Sequence, residues 1–238
     1  MDSLSIVIPA YNEERRLPQT LRQVLDWVSR GSFSFHELLV VDDGSHDSTA
    51  RVVEEFARQN PCVRLARNPG NRGKGYAVRH GMLEAKGNWI LYTDADLSTP
   101  IEEVEKLFRA TREQGAAIAI GSRAIDRSLV EVHQPPLREL SGRAFNLVMR
   151  MVTGLSFRDT QCGFKLYRAD AARQIFPRQK QDGFSFDVED LLIAKKLGIQ
   201  AVEVAVRWAN VEGTKVGLSQ GMMSFLDLVK IRMDHRNS

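Results

Sequence analysis

Hydrophobic and polar positions change period repeatedly along the first half of the chain. Leu4–Pro9 (LSIVIP) is apolar apart from Ser5 and reads as a buried strand, whereas Leu17–Ser29 spaces its apolar residues as an amphipathic helix does. Glu37–Val41 (ELLVV) is a second strand that stops at the acidic turn Asp42-Asp43-Gly44-Ser45, and Asp47 or Ser48 caps a helix running to about Asn60. Val63–Ala66 then reads as a strand, Tyr76–Ala85 as a helix, Trp89–Thr93 as a strand, Ile101–Gln114 as a helix begun by Pro100, and Ala116–Ile120 as a strand. Repeated strand–helix units with short connections predict an α/β protein. Its central sheet should be mostly parallel and covered on both faces, with ligands at the carboxyl ends of the strands.

The pattern changes after Arg123. Ile125–Pro136 is polar and then Pro-Pro, which predicts a mobile loop. Arg138–Thr153 is amphipathic, with Leu140, Phe145, Leu147, Val148, Met149 and Met151 interleaved with Arg138, Arg143 and Arg150. That pattern fits a core-packing helix first, and also a helix lying in a membrane interface. Helices near Ala169–Phe176 and Val188–Leu197, a strand Gln200–Val206 and a helix Met222–Met233 complete the expectation. Nothing reads as a linker or repeat, so one domain is expected over residues 1–238, with a first half to 123 and a second from 124.

Composition narrows this picture only in places. The 238 residues are 43% hydrophobic and 26% charged, with a net charge of +3, too small to imply nucleic-acid binding. The 24 arginines against 9 lysines favour anionic ligands, or reflect nothing more than an arginine-rich composition. Cys62 and Cys162 lack any metal or redox spacing, and the five histidines show none either. No leader is evident, and no apolar run approaches the roughly 20 residues that span a bilayer. A cytoplasmic protein is expected, one that still has the means to work at a membrane surface.

The candidate chemistry lies at strand ends. Asp94-Ala95-Asp96 follows the strand WILYT directly, and two carboxylates one residue apart there suit Mg²⁺ or Mn²⁺, with diphosphate and water completing the shell. Asp42 and Asp43 follow another strand, and Pro9-Ala10-Tyr11-Asn12-Glu13 a third. Each is explicable as turn or cap chemistry, but together on one edge they look like a nucleotide site. Asn68–Gly75 (NPGNRGKG) is not a Walker loop, because only two residues separate Gly70 from Gly73 and Gly75 follows Lys74. It remains a glycine-rich loop able to close Arg72 and Lys74 over a base or phosphate.

The blocks IVIPAYNEE, LLVVDDGSHDST, NRGKGYAVRHG and ILYTDADLSTP, in this order, resemble the family 2 glycosyltransferases of GT-A fold. Gly121-Ser122-Arg123, RDTQCGFKLY over 158–167, Phe186-Asp187-Val188-Glu189 and Glu212-Gly213-Thr214-Lys215 look like the dolichyl-phosphate β-glucosyltransferase group, and more loosely like the mannose synthases. The resemblance runs from about Leu4 to Lys215. It implies a Rossmann-like nucleotide-sugar fold with Pro9, Tyr11 and Glu13 on the nucleoside, Asp43 on the base or ribose, and Arg72 and Lys74 beside the base. It implies further that Asp94 and Asp96 hold the metal and the sugar nucleotide, and that Arg123 and Lys215 meet phosphates. Arg138 or Arg143, together with Lys165, would hold the acceptor phosphate, with Gln161 to Lys165, Asp187 and Glu189 lining the sugar and acceptor side. Asp96, Arg123, Asp187 and Glu189 are the catalytic candidates. Ser98 stands where the mannose synthases carry a Gln.

The expected reaction is a metal-dependent, inverting transfer of a hexose, UDP-glucose being the expected donor and GDP-mannose second, to a polyprenyl phosphate. A lipid phosphate is already anionic and needs no strong base; a hydroxyl acceptor would need one, Asp190 or Asp187. The same acids equally suit a helix N-terminus. Arg207-Trp208 lacks the upstream Gln of processive synthases. Under the resemblance Arg138–Thr153 becomes an interfacial helix and the protein a peripheral one on the cytoplasmic face. A nucleotide-sugar-binding protein without activity would have little use for Asp94, Asp96, Arg123 and Lys215 together.

Overall fold

The computed structural model describes residues 2–132, 136–211 and 227–235, and the backbone alone for 136–141 and 143. The Gly/Thr/Lys block with Lys215 and the start of the last expected helix lie outside the described residues.

Five expected strands form as β1 (Ser3–Ala10), β2 (Phe35–Asp42), β3 (Val63–Arg67), β4 (Trp89–Thr93) and β5 (Ile118–Ser122). Between them run α1 (Leu17–Arg30), α2 (Thr49–Gln59), α3 (Lys74–Glu84) and α4 (Val104–Gln114). In α1, Leu17, Thr20, Leu21, Val24, Trp27 and Val28 are buried, one stripe at helical spacing, and Pro18 in its first turn needs no amide partner. The left-handed Gly115 ends α4.

Three segments depart from expectation. Phe164–Arg168 is a strand, β7, set in the middle of a seven-stranded sheet of order β3-β2-β1-β4-β7-β5-β8, with β8 at Ala201–Ala205. β7 is antiparallel to both neighbours, while every other pairing is parallel. The polar stretch after Arg123 is not simply a loop. Asp126 accepts the Ser128 amide to start a 3-10 turn, and β6 (Val130–Val132) then pairs with β9 (Trp208–Ala209). Residues 133–135 of that stretch lie outside the description.

Alternation along the strands divides the core in two. Val7, Leu39, Val41, Ile90, Tyr92 and Tyr167 face α3, α5 (Pro136–Thr153), α6 (Ala169–Ile175), α7 (Phe186–Lys196) and residues 227–234. Leu4, Ile6, Ile8, Leu38, Leu91 and Leu166 face α1, α2 and α4. α5 packs one face into the core, as the core-packing expectation has it: Phe145 and Met149 are buried, while Leu147 and Met151 are 58% and 66% exposed. No described helix is long and apolar enough to cross a membrane. Strand order reverses between β1 and β4, and ligands bind beside such a reversal in doubly wound sheets.

Candidate functional site

The carboxyl ends of β1, β2 and β4 meet at one rim. Beyond β1, Asn12 takes a left-handed backbone, φ 53°, and its side chain accepts the His46 amide at 2.8 Å. The Glu13 amide donates to Thr49 Oγ1 at 2.7 Å, and the Glu14 amide to Asp47. These bonds stitch the turn after β1, which carries Tyr11 and Glu13, to the acidic turn after β2. Pro9 lies inside β1, opposite Val41. Asp43 is buried, and its carboxylate gathers Asn68 Nδ2 at 2.7 Å and the amides of Arg72 and Gly73 at 3.1 and 2.8 Å. Asp43 therefore shapes the glycine-rich loop. Gly73 has φ 105°, and a β-carbon there would lie 2.4 Å from the Asp182 carbonyl. Arg72 leaves the loop over the Tyr76 ring.

The acidic pair stands one strand away. Asp94 Oδ1 receives Lys74 Nζ at 2.8 Å and the Tyr92 hydroxyl at 3.2 Å. Asp96 Oδ1 accepts the Ser98 amide, closing a turn in which Leu97 is left-handed at φ 45°. Thr20 of α1 donates to the Ala95 carbonyl at 2.6 Å, so α1 holds the turn from behind. Burial works against the charge on Lys74, and Asp94 with Asp187 outweighs it, holding the ammonium above its ordinary range.

The second half of the chain closes the rim with buried charge. Lys165 was expected at an acceptor phosphate; instead it is fully buried, ion-paired with Asp187 and set over the Tyr92 ring. Burial pushes the Asp187 carboxyl up, while Lys165 and Lys74 pull against it. Asp190, also fully buried, has no hydrogen-bond partner on either oxygen among the described residues, and burial with Asp187 and Glu189 nearby raises it well above the carboxylate range. Glu189 was expected among the catalytic side chains. It is fully buried and occupied by the Lys180 and Gln181 amides and by His235 Nε2, and so faces backbone rather than substrate.

Arg123 follows β5. Its Nε and Nη2 grip both oxygens of Asp159 at 2.7 and 2.8 Å, and its guanidinium lies 5.4 Å from the Trp208 ring centre. Burial would raise the Asp159 carboxyl, but Arg123 outweighs it and holds the group below its ordinary value. Burial, with the Asp159 charge nearby, pushes the Cys162 thiol up to about 12, so it is no nucleophile.

Asp159, Thr20, Asn68 and His235 escaped the sequence reading, since each acts through a partner remote in the chain. Arg138 and Arg143 lie on α5 with side chains outside the description, as does Lys215 altogether. The residues that remain fit a divalent ion. Among the described residues nothing donates to the second oxygen of Asp94 or of Asp96, which leaves two hard oxygen donors. No set of three or more ligating side chains occurs among the described residues, so substrate oxygens would have to complete the shell.

Known proteins resemble this chain in sequence and in fold. A dolichyl-phosphate beta-glucosyltransferase of Trichomonas vaginalis is 34% identical, over 98% of this chain and 74% of its own. The Homo sapiens protein of that name is 36% identical over 90% of this chain and 69% of its own. Among solved structures, mannosyl-3-phosphoglycerate synthase from Rubrobacter xylanophilus superposes with a TM-score of 0.73 at 17% identity, covering 99% of this chain and 75% of that one. Glucosyl-3-phosphoglycerate synthase from Mycobacterium tuberculosis, solved with Mn²⁺, UDP-glucose and phosphoglyceric acid, gives 0.66 at 18%, covering 96% and 80%. The mostly parallel seven-stranded sheet with its flanking helices is thus a GT-A-like fold. With residues 5–176 matching the glycosyl transferase family 2 profile, the chain belongs to that family.

Proposed function

We propose that this chain, acting as one domain over residues 1–238, transfers glucose from UDP-glucose to the phosphate of a polyprenyl lipid of the dolichyl type, with inversion, at the cytoplasmic face of a membrane. The observation that carries the reading is the rim itself: Asp94 and Asp96 beside Lys74, one strand from the Asp43-organised loop. The names of the relatives support the donor and acceptor, and the Mn²⁺ and UDP-glucose of the solved neighbour support the metal.

Asp94 and Asp96 would hold the Mg²⁺ or Mn²⁺. When bound, the ion neutralises charge on the leaving diphosphate. Tyr11, Glu13 and the loop bearing Arg72 enclose the nucleoside, and Lys74 brings a fixed positive charge to the diphosphate side. Arg123 and Lys215 add to that field. Arg138 and Arg143 draw in the acceptor phosphate, whose oxygen attacks the sugar's anomeric carbon as the bond to the diphosphate breaks and UDP leaves with the electron pair. The attacking oxygen is already anionic, so no side chain has to remove a proton.

The lipid surface has its own support. Leu147 and Met151 on α5, and Val229 and Met233 on the last helix, form two exposed apolar pairs one helical turn long. Arg232 binds the Val152 carbonyl, which makes the two helices neighbours, and Arg150, Lys230 and Arg232 lie exposed beside the apolar pairs. Apolar side chains flanked by cations suit an anionic bilayer surface.

The test is a panel of labelled UDP-glucose and GDP-mannose with polyprenyl phosphate and Mn²⁺, scored by partition into organic solvent. Glucose-dependent label in the organic phase is expected. Label confined to water overturns the lipid acceptor, and transfer from GDP-mannose alone overturns the donor.

A further inference from the structure

Glu189 lies at the centre of a set of contacts that the transfer chemistry does not use. Its Oε2 accepts the Gln181 amide at 2.7 Å, and both oxygens accept the Lys180 amide at 3.0 Å. Its Oε1 also accepts His235 Nε2 at 2.6 Å, from the far end of the last helix. That helix is fixed at three more points: Asp227 accepts the Ser185 hydroxyl at 2.7 Å, Lys180 Nζ donates to the Asp234 carbonyl, and Arg232 binds α5.

The turn that Glu189 gathers, residues 179–183, is also the wall against which the glycine-rich loop rests. Gly75 and Tyr76 donate their amides to the Gly183 and Asp182 carbonyls, each at 3.2 Å. Gln179 Nε2 reaches the Gly75 carbonyl at 3.0 Å and the Gln181 carbonyl at 2.7 Å. Arg79 of α3 binds the Gln179 carbonyl and the Asp182 carboxylate. A β-carbon on Gly75 would lie 2.5 Å from the Gln181 carbonyl, so the two backbones touch with no side chain between them. The loop cannot shift without moving that wall, and the loop carries both Lys74 and the amides that bind Asp43.

We infer that Glu189 is a positioning residue for the donor side. It clamps the 179–183 turn to the last helix and thereby fixes the Arg72–Gly75 loop in its binding shape. The functional consequence rests on the donor reading above; the mechanical one does not. A fully buried carboxylate with three donors on it is a strong local tether, and losing one acceptor there leaves a buried amide unpaired.

Hydrogen exchange on the ligand-free full chain tests this directly. In Glu189→Gln the amides of Arg72, Gly73, Gly75 and Tyr76 are expected to exchange about tenfold faster, with those of β1 and β4 unchanged. With Mn²⁺ present, calorimetric affinity for UDP is expected to fall about fivefold while kcat at saturating donor stays within about twofold, a split that mere loss of stability does not produce. His235→Leu removes a single contact and serves if Glu189→Gln does not fold; it should move the same amides in the same direction. Unchanged exchange at residues 72–76, with the Lys180 and Gln181 amides deprotected, overturns the inference. Absence of UDP binding by the wild-type chain overturns the donor reading instead, and the exchange arm then decides the clamp alone.

Discussion

Gly163 lies so close beneath Asp94 that a β-carbon on it would stand 2.0 Å from Asp94 Oδ2. The two are also tied through the backbone, the Asp94 amide donating to the Gly163 carbonyl at 3.2 Å. The missing side chain at the start of β7 is therefore what allows the first carboxylate of the acidic pair to sit where it does. In Gly163→Ala the carboxylate must turn away, and misplacement by about 1 Å costs on the order of 10²-fold in rate. The fold should survive, since the clash is with a side chain at the rim. The expected result is a near-native melting curve with no stabilisation by Mn²⁺ and UDP-glucose; full stabilisation would show that Asp94 has room to spare.

Lys165 and Asp187 form an ion pair removed from water, and breaking it from one side is costly. Lys165→Met leaves Asp187 buried without its partner and is expected to lower unfolding free energy by about 3–5 kcal/mol. Adding Asp187→Asn should restore part of the loss, a coupling that urea denaturation of the two single variants and the double resolves.

Asp190 gives stability a pH dependence of known sign. Its folded carboxyl titrates well above the unfolded one, so the folded state holds a proton that the unfolded state releases. The stabilisation is complete below the ordinary carboxylate range and is lost as pH rises from there through the raised folded value. Asp190→Asn cannot release that proton. Its advantage over the wild type should be absent at low pH and grow as pH rises toward neutrality, measured by melting temperature across that span. A constant offset would show that the group is not protonated in the fold.

The exposed pairs on α5 and the last helix make a separate prediction. Replacing Leu147 and Met151 by Glu removes two side chains worth about 1.5–3 kcal/mol each when buried and adds repulsion from anionic headgroups. Flotation with phosphatidylserine-containing vesicles should show the wild type bound and the double variant largely in the aqueous fraction. Equal flotation of the two would place the contact elsewhere.

The largely apolar runs of β1, β2, β4 and β5 made most of the sheet readable, because a strand covered on both faces needs nothing else. FKLYR hid β7, since Lys165 and Arg168 interrupt its apolar pattern and the charge that neutralises Lys165 lies on another element, at Asp187. β6 and β9 are too short and polar to carry a period. In the site, Asp43, Asp94 and Asp96 were legible as acids closing strands. The roles of Glu189 and Lys165 were not, because a buried carboxylate facing backbone and one facing substrate look alike until their neighbours, here His235 and the 180–181 amides, are in place.

β7 enters the sheet against the direction of its neighbours, with Lys165 opposite Tyr92 and Phe164 opposite Thr93. Its first residues therefore stand at the rim where the parallel strands finish, and a hydrogen-bonded ladder sets the spacing between the two walls of the site. Such a joint works as a jig rather than a hinge. Lengthening the connection that leads to Gly163 would leave that alignment intact, whereas one residue inserted between Phe164 and Lys165 would turn Lys165 to the opposite face of the sheet, among Leu91 of β4 and Ala119 of β5. Variation in acceptor preference across relatives should accordingly concentrate in the connections around β7 and leave the length of the strand alone.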